Sequence, residues 1–477
     1  MRALMWFRSD LRIDDNPALH EAAESADRGV LAVYIITPKQ WGTHDLAPAR
    51  ADFILRNLAE LSSSLREKQI ALRVLRCDDF SGIPKLLTAC CTQNECDALY
   101  FNQEHEFNEA QRDACVEDAM TKAGVRVRSF TDQCIFEPGS LRTGEGRYYR
   151  VFTPFRRSWS TAIEADPERI SPLPPPKRQA AMIGHPDTPP RAVSGFEHTH
   201  ADSDLWPAGE PAAHARLTEF ANNKIEDYKL LRDTPSVDAT STLSPYLASG
   251  VISLRRCLAA ARQTTNSTND GVRPGANQWI SELAWREFYK HIMVGFPRVC
   301  MHRPFQLDTE EIQWNNNTDH FEAWCNAQTG YPIVDAAMRQ LLTTGWMHNR
   351  LRMIVAMFFT KNLFLDWRRG EQFFMRHLID GDLAANNGGW QWSASTGTDA
   401  APYFRVFNPI SQSAKCDPDG VFIRRYLPEL ASIEGKAIHA PSTLPPLARA
   451  AINYPQPIVD HASTRKHAIE AFKRRSR

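Results

Sequence analysis

The chain has 477 residues, of which 43% are hydrophobic and 10% aromatic, a composition that indicates a globular protein with two buried cores. Its 56 basic and 56 acidic residues give a formal net charge of +0, so overall charge offers no argument for a polyanion partner and leaves only a local basic groove to be considered. The ten cysteines show no CxxC spacing and predict neither a disulfide framework nor a metal site. The lack of any apolar run of about 18 residues predicts a cytoplasmic protein with no membrane partner.

The first part of the chain alternates short apolar runs with amphipathic stretches. Five apolar runs predict β-strands, at 3–7, 30–36, 70–75, 98–101 and 125–130. Between them, stretches such as 50–67 repeat apolar residues at helical spacing. This alternation predicts an α/β domain with a parallel, Rossmann-like sheet over residues 1–135. The GxGxxG fingerprint is absent, so a ligand of this domain must be held in another way.

A proline-rich segment separates this domain from the rest of the chain. Residues 167–211 contain ten prolines and predict an ordered connection without regular elements, within an interdomain linker that we place at 136–211. Beyond it the apolar residues recur at helical spacing, as in 333–342 and 350–365. We therefore predict an all-helical domain over residues 212–477.

Two long stretches of the helical domain resemble a known family. The strings "TGYPIVDAAMRQLLTTGWMHNRLRM" (329–353) and "DWRRGEQFFMRHLIDGDLAANNGGWQWSASTGTDAAPYFRVFNP" (366–409) resemble the FAD-binding helical domain of the photolyase and cryptochrome flavoproteins. The string "WFRSDLRIDDNPAL" (6–19) is similar to the opening strand and turn of that family. The resemblance covers essentially the whole chain and looks closest to the bacterial class I cyclobutane pyrimidine dimer photolyases. It implies a deoxyribodipyrimidine photo-lyase, in which one electron passes from photoexcited reduced FAD to a flipped-out dimer in DNA.

The resemblance also implies a set of FAD-binding residues. The amide of Asn386 matches the family amide that faces the central-ring nitrogen, where it can donate a hydrogen bond to an anionic reduced flavin without giving up a proton. The stretch "TSTLSPYLASG" (240–250) offers hydroxyls and backbone N–H groups ahead of a helix, which suits a diphosphate, although Thr242 stands where the family often has Arg or Lys. The implied residues are Tyr228, Thr240, Ser241, Thr242, Leu243, Ser244, Trp279, Glu282, Asn349, Arg352, Asp380, Asp382 and Asn386.

Three tryptophans match the family's electron-transfer chain, which carries an oxidising hole from the flavin to the surface. They are Trp390, Trp367 and Trp314. Indoles oxidise readily while packing as apolar bodies. One such tryptophan alone would more often be core packing, and it is the matched trio that favours the redox role.

The substrate side is implied by a different group. Glu282 and Trp285 are three residues apart, hence on one helical face, where a carboxyl can bind pyrimidine carbonyls while the indole stacks on a base. With them, the resemblance implies a lesion pocket lined by Asn349, Met353 and Trp392. It also implies phosphate contacts from the basic residues Arg232, Arg350 and Arg405.

A second, light-harvesting chromophore is implied for the α/β domain. His44, Asn108, Glu109 and Cys300 match positions that hold 5,10-methenyltetrahydrofolate in folate-type members. Met301 stands where close folate-binding relatives have Lys, so a deazaflavin or an empty site remain as alternatives.

Three other functions compete with this one. A cryptochrome-type photosensor would use the same flavin and tryptophans, but it commonly has a C-terminal extension or a different residue at position 386. A repair enzyme for the six-four photoproduct would be expected to show a His-rich pocket instead of Asn349 and Met353. A plain nucleic-acid-binding module would lack blue absorbance.

We expect the chain to act as a monomer on DNA that contains pyrimidine dimers.

Overall fold

The computed structural model describes residues 1–197, 201–265 and 272–475, so residues 198–200 of the predicted linker lie outside it. The chain divides into two compact units. Unit 1 comprises Met1–Glu226, Ser241–Pro297 and Ile379–Ala384, and unit 2 comprises Asp227–Thr240, Arg298–Leu378 and Ala385–Arg477. The domain boundaries at 135 and 211 stay a prediction. The expected absence of regular elements over 167–211 is wrong, because a 3-10 turn, Pro167–Ile170, lies in this segment and a helix begins at Glu210. Among the described residues, no helix combines the length and the hydropathy of a membrane span.

The strands of the described chain are β1 (Ala3–Phe7), β2 (Val30–Ile36), β3 (Ala71–Arg76), β4 (Ala98–Asn102) and β5 (Arg126–Phe130). The α-helices are α1 (Pro17–Ser25), α2 (Pro38–Thr43), α3 (Pro48–Glu67), α4 (Ile83–Gln93), α5 (Phe107–Lys122), α6 (Phe152–Ala165), α7 (Glu210–Asn223), α8 (Tyr228–Leu231), α9 (Ser244–Ala248), α10 (Leu254–Thr265), α11 (Val272–Gly295), α12 (Thr318–Cys325), α13 (Pro332–Thr344), α14 (Asn349–Met357), α15 (Trp367–Met375), α16 (Leu383–Ala394), α17 (Pro409–Cys416), α18 (Val421–Tyr426), α19 (Pro446–Ala450) and α20 (His461–Arg475).

Unit 1 contains a five-stranded sheet with the strand order β3-β2-β1-β4-β5. All four pairings are parallel. Every residue of β1, β2 and β4 is buried, which explains why these strands are continuous apolar runs: both faces of the sheet are covered. The edge strand β5 instead carries Arg126 and Arg128, and such charges discourage pairing with another chain.

A buried ionic cluster anchors the turn after β1. Arg12 pairs with Asp132 at 2.5 Å, and Arg255 pairs with Asp15 at 2.9 Å and with Asp132 at 3.2 Å. Asn16 then caps α1 by accepting a hydrogen bond from the backbone N–H of Leu19. Ion pairs between this charged stretch, "RSDLRIDDN", and Arg255 therefore hold the turn against α10. Each buried charge has a partner, as a buried charge requires.

The regular elements in the described part of unit 2 are all helices, apart from one isolated bridge, Asn315 to Leu365. Its main apolar core gathers residues of α12 to α16 and α18, with Trp324, Trp367 and Trp390 among them. The predicted continuous helix over 350–365 is interrupted, because α14 ends at Met357 and a π-helical turn, Phe358–Asn362, follows. This wider turn brings the buried ammonium of Lys361 to 3.1 Å from the carbonyl oxygen of Ala394.

Candidate functional site

Buried amides on α16 form a hydrogen-bonded cluster with Glu371 in unit 2. The Asn386 amide donates to the carbonyl oxygen of Glu371 at 3.0 Å, which uses one of the two N–H groups of that amide. The Asn387 amide donates to the buried Glu371 carboxylate at 2.8 Å. Gln391 in turn donates to the Asn387 side chain at 2.9 Å. This network fixes the direction of the Asn386 amide, and it involves three residues, Glu371, Asn387 and Gln391, that the sequence analysis did not assign.

The three predicted redox tryptophans all belong to unit 2. Trp390 and Trp367 are members of the main core cluster, and the half-buried Trp314 packs against it. The ring of Trp390 lies 5.0 Å from Phe374, 5.5 Å from Phe359 and 6.1 Å from Trp324, measured between ring centroids. Trp390 is thus held in a rigid aromatic cage four residues after Asn386, on the same side of α16.

Asp382 of unit 1 is held by two cations on α11. Arg286 pairs with its carboxylate at 3.1 Å and Lys290 at 3.5 Å. Lys290 is almost fully buried and also pairs with Glu106 at 2.9 Å. Burial alone would lower the pKa of Lys290, but the charges of Asp382 and Glu106 raise it above its ordinary value. The Asp382 carboxylate is therefore fixed in position at the start of α16.

An arginine side chain that the sequence analysis did not assign, Arg216, contacts the hydroxyl-rich stretch 240–250. The Arg216 guanidinium on α7 donates to the Thr242 hydroxyl at 2.7 Å and to the Tyr246 hydroxyl at 3.1 Å. The following helix, α9, has only five residues, so its dipole contributes little. Although Thr242 itself carries no charge, a positive charge lies beside it, contributed by a residue 26 positions earlier in the chain.

Glu282 and Trp285 lie on α11 of unit 1, one turn apart. Gln278 donates to the Glu282 carboxylate at 2.8 Å. The Trp285 indole stacks on Phe152 with a centroid distance of 3.7 Å and an interplanar angle of 11°, which makes it a rigid aromatic platform. Both side chains are partly exposed and can meet a ligand.

The stretch 348–353 of unit 2 is preorganised by capping and by an ion pair. His348 caps α14 by accepting the N–H of Arg350 at 3.2 Å. Arg350 contacts the Met353 sulfur at 3.7 Å and forms an ion pair with Asp233 at 2.5 Å. Arg352 donates to the carbonyl oxygen of Met347 at 2.8 Å. Asn349, at the first position of the helix, is exposed.

The predicted antenna residues of unit 1 form a connected group. His44 Nδ1 lies 3.2 Å from the Glu109 carboxylate, and His44 Nε2 lies 3.1 Å from the Asn108 amide and 2.7 Å from the Gln40 amide. Burial lowers the pKa of His44, but the hydrogen bond and the charge of Glu109 outweigh it and raise the pKa above its ordinary value. Cys300 and the exposed Met301 belong to unit 2.

The remaining predicted residues are distributed over both units. In unit 1, Trp279 is buried against Phe220 at a centroid distance of 4.7 Å, and Asp380 and Leu243 are buried. In unit 2, Tyr228 is buried and Arg232 lies over its ring at 5.7 Å. The others are Ser241 and Ser244 in unit 1, and Thr240, Trp392 and the exposed Arg405 in unit 2.

The donors present fit a flavin dinucleotide. The oriented amide of Asn386 suits a flavin ring nitrogen, since it offers a hydrogen bond without a net charge. The Arg216 guanidinium beside the hydroxyls of 240–244 suits a diphosphate, which a guanidinium binds through paired N–H groups. Fold and donors together define a flavin-binding protein with a parallel-sheet α/β part and a helical part.

Comparison with known proteins gives the family. Residues 279–474 match the family model described as the FAD binding domain of DNA photolyase, and residues 3–177 match the model described as DNA photolyase. The deoxyribodipyrimidine photo-lyase of Salmonella typhimurium is 46% identical over 472 residues, which cover 98% of each chain. The chain therefore belongs to the DNA photolyase family.

Solved structures agree with this assignment. The crystal structure of a bacterial class III photolyase from Agrobacterium tumefaciens is similar with a TM-score of 0.89 and 35% identity, and the match covers 100% of this chain and 98% of that chain. The cryptochrome of Synechocystis is similar with a TM-score of 0.86 and 27% identity, covering 98% and 99%. The predicted family, fold class and FAD-binding domain are confirmed, and the curated relatives favour the enzyme over the photosensor.

Proposed function

We propose that the protein repairs cyclobutane pyrimidine dimers in DNA, using blue light and reduced FAD. The observation that carries this proposal is the pair of partly exposed side chains on α11, the Glu282 carboxylate held by Gln278 and the Trp285 indole backed by Phe152. On α16, the Asn386 amide would donate to the flavin ring, and the Trp390 indole would reduce the oxidised flavin. When bound, reduced FAD would supply the electron that opens the cyclobutane ring and would take it back afterwards, so that no net redox change occurs.

The residues of the chain hold the cofactor and set its charge. We assign Asn386 to the ring nitrogen, because a neutral amide stabilises an anionic ring without protonating it. Asp382, kept in place by Arg286 and Lys290, would accept hydrogen bonds from the polar edge of the ring or from its ribitol or ribose hydroxyls. Arg216 and the hydroxyls of 240–244 would bind the diphosphate.

For the lesion, we assign the carboxyl of Glu282 and the indole of Trp285. Gln278 donates to one carboxyl oxygen of Glu282; the other oxygen, when it carries the carboxyl proton, would donate a hydrogen bond to a pyrimidine carbonyl and stabilise the negative charge on the reduced dimer. Trp285, backed by Phe152, offers a face on which a flipped base can stack. A dimer is poorly stacked in the duplex and is cheaper to extrude than an intact pair, which favours damaged sites. Asn349, Met353 and Trp392 would complete the pocket.

The DNA backbone would be bound by Arg232, Arg350 and Arg405. Guanidinium groups bind phosphates through paired N–H donors, and such contacts position the duplex without reading its sequence.

We also propose that the protein acts as a monomer in the cytoplasm. Light scattering of the holoenzyme with and without DNA, and fractionation of cells, would test these two points.

The proposal is tested with an oligonucleotide that contains one cis-syn thymine dimer. The holoenzyme with reduced flavin should restore the two thymines in blue light and not in the dark. Trp285→Ala should lower repair strongly while FAD stays bound, and Glu282→Ala combined with Trp285→Ala should abolish repair. Trp41→Ala, an indole outside all assigned sites, serves as the matched control. Photoreduction without any repair would replace this proposal with a photosensor function.

We further propose 5,10-methenyltetrahydrofolate as the antenna, held by His44, Asn108, Glu109 and Cys300. The connected hydrogen bonds of His44 with Asn108 and Glu109 support a site for a polar heterocycle. With Met301 in place of a lysine, the anionic tail of the folate would lack one cation. Met301→Lys should therefore raise the fraction of protein that retains folate, measured by chromatography of the released chromophores. A deazaflavin, or no second chromophore in either protein, would contradict the assignment.

A further inference from the structure

The carboxylate of Asp233 lies between two of the arginines that we assign to DNA phosphates. Its Oδ2 lies 2.5 Å from Nη2 of Arg350, and its Oδ1 lies 3.7 Å from Nε of Arg232. Each carboxylate oxygen thus faces a different guanidinium. All three residues belong to unit 2.

Asp233 is charged and accessible. Burial raises the pKa of its carboxyl, but the hydrogen bond and the charge of Arg350, together with the charge of Arg232, hold the pKa below its ordinary value. The Asp233 side chain is 45% exposed, against 22% for Arg350. A solvent-borne anion can therefore approach the pair and compete for the guanidinium.

Carboxylate and phosphate present the same chemistry to an arginine. Both are anions whose oxygens accept paired N–H donors, so one guanidinium edge cannot serve both fully at once. The other side of the Arg350 guanidinium is engaged as well, since its Nη1 contacts the Met353 sulfur at 3.7 Å. A phosphate that takes the same edge of the Arg350 guanidinium therefore competes with Asp233.

We propose that Asp233 is an internal competitor for DNA phosphate, which occupies Arg350 and Arg232 in the free protein and lowers the affinity for the DNA backbone. This inference rests on the proposed function, because it takes the two arginines to be phosphate ligands. Repaired DNA offers the enzyme backbone contacts without a lesion in the pocket. Asp233 would accordingly favour release of the product and limit time spent on undamaged DNA.

The test measures binding of a labelled, undamaged duplex to the FAD-loaded protein in the dark, by fluorescence anisotropy at several salt concentrations. Asp233→Asn and Asp233→Ala should bind roughly two- to five-fold more tightly at low salt, the range expected for loss of a partly exposed ion pair. The slope of log K against log salt should stay the same, because Arg350 contacts phosphate in both complexes once Asp233 is displaced. Glu429→Gln, which breaks the comparable pair with Arg339 at 2.5 Å in the same unit, should change neither quantity.

Arg350→Ala separates failure of this inference from failure of the proposed function. If Arg350→Ala weakens binding while both Asp233 variants bind like the wild type or more weakly, Asp233 is not a competitor. If Arg350→Ala leaves binding unchanged, Arg350 is not a phosphate ligand and the inference is overturned together with that assignment. Because Asp233 is nearly half exposed, both variants should fold, which their FAD content checks independently of DNA.

Discussion

Gly370 of α15 lies directly against the indole of Trp390. A Cβ atom on Gly370 would overlap Cη2 and Cζ3 of that ring, far inside van der Waals contact. The ring cannot withdraw easily, because Phe374 and Phe359 stand around it. Trp390 can therefore occupy this position only because residue 370 is a glycine.

Gly370→Ala should displace Trp390 and destabilise the protein. Overpacking of this kind costs about 1–3 kcal/mol, of which the better helix propensity of Ala recovers up to about 1 kcal/mol. Urea denaturation should show the loss, and flavin photoreduction should slow. Gly144→Ala is the matched control, since a Cβ there meets nothing within 4 Å. Equal stability of the two variants would contradict this account of the close contact.

Trp390→Phe should remove most photoreduction of the oxidised flavin, because phenylalanine is much harder to oxidise than an indole of the same cage. Repair by enzyme that has been reduced chemically should continue, since the repair electron comes from the cofactor. Bleaching of the blue flavin band under illumination, with an external thiol present, measures the first effect. Trp159→Phe, a buried tryptophan of α6, is the control. Wild-type photoreduction in Trp390→Phe would rule out Trp390 as the electron donor.

Much of the architecture could be predicted because local sequence patterns determine it. The strand predicted at 70–75 is Ala71–Arg76, and the helix predicted at 50–67 is Pro48–Glu67. Apolar runs and helical spacing depend on which residues of one element are buried. They can therefore be recognised without knowing which other element packs against it. The interruption of the helix at Phe358 could not be predicted in this way, because the π-helical turn depends on contacts such as that of Lys361 with Ala394.

The site was less predictable, for the same physical reason. Resemblance supplied residue types, but the groups that orient them come from distant positions. Arg216 reaches Thr242 across 26 residues, and Asp233 meets Arg350 across 117. No spacing in the sequence links such pairs. A cation next to Thr242 and an anion on Arg350 change the electrostatics of both sites, and only the fold reveals them.

Lys290→Gln should destabilise unit 1 and weaken FAD retention. The substitution leaves the Glu106 carboxylate without its buried cation and removes one of the two cations on Asp382. Removing one partner of a buried pair costs about 3–5 kcal/mol. Thermal unfolding and the ratio of flavin to protein after gel filtration measure the two effects. Lys39→Gln is a matched control, because Lys39 pairs with Asp79 at the same 2.9 Å on the surface. Its loss should change neither the unfolding temperature nor the flavin-to-protein ratio. Unchanged FAD retention would show that Asp382 does not need Lys290.

His348→Asn should remove part of the acid sensitivity of the protein. Burial first, and then the positive charges of Arg352 and Arg350, lower the pKa of His348 to about 4 against the opposing charge of Asp233. The unfolded chain binds a proton near pH 6.5 and the folded chain does not, so stability from this group is complete above about pH 6.5 and is lost as the pH falls towards 4. Between pH 7 and pH 5 the loss is about 2 kcal/mol.

Asparagine at position 348 can still accept the N–H of Arg350 as a helix cap, but it does not titrate. The free energy of unfolding of the variant should therefore fall less than that of the wild type between pH 7 and pH 5, by about 2 kcal/mol. Urea denaturation at the two pH values gives the comparison. Because only the difference between the two pH values matters, any constant cost of the substitution cancels. An identical pH dependence in the two proteins would mean that His348 is protonated in the folded state as readily as in the unfolded one.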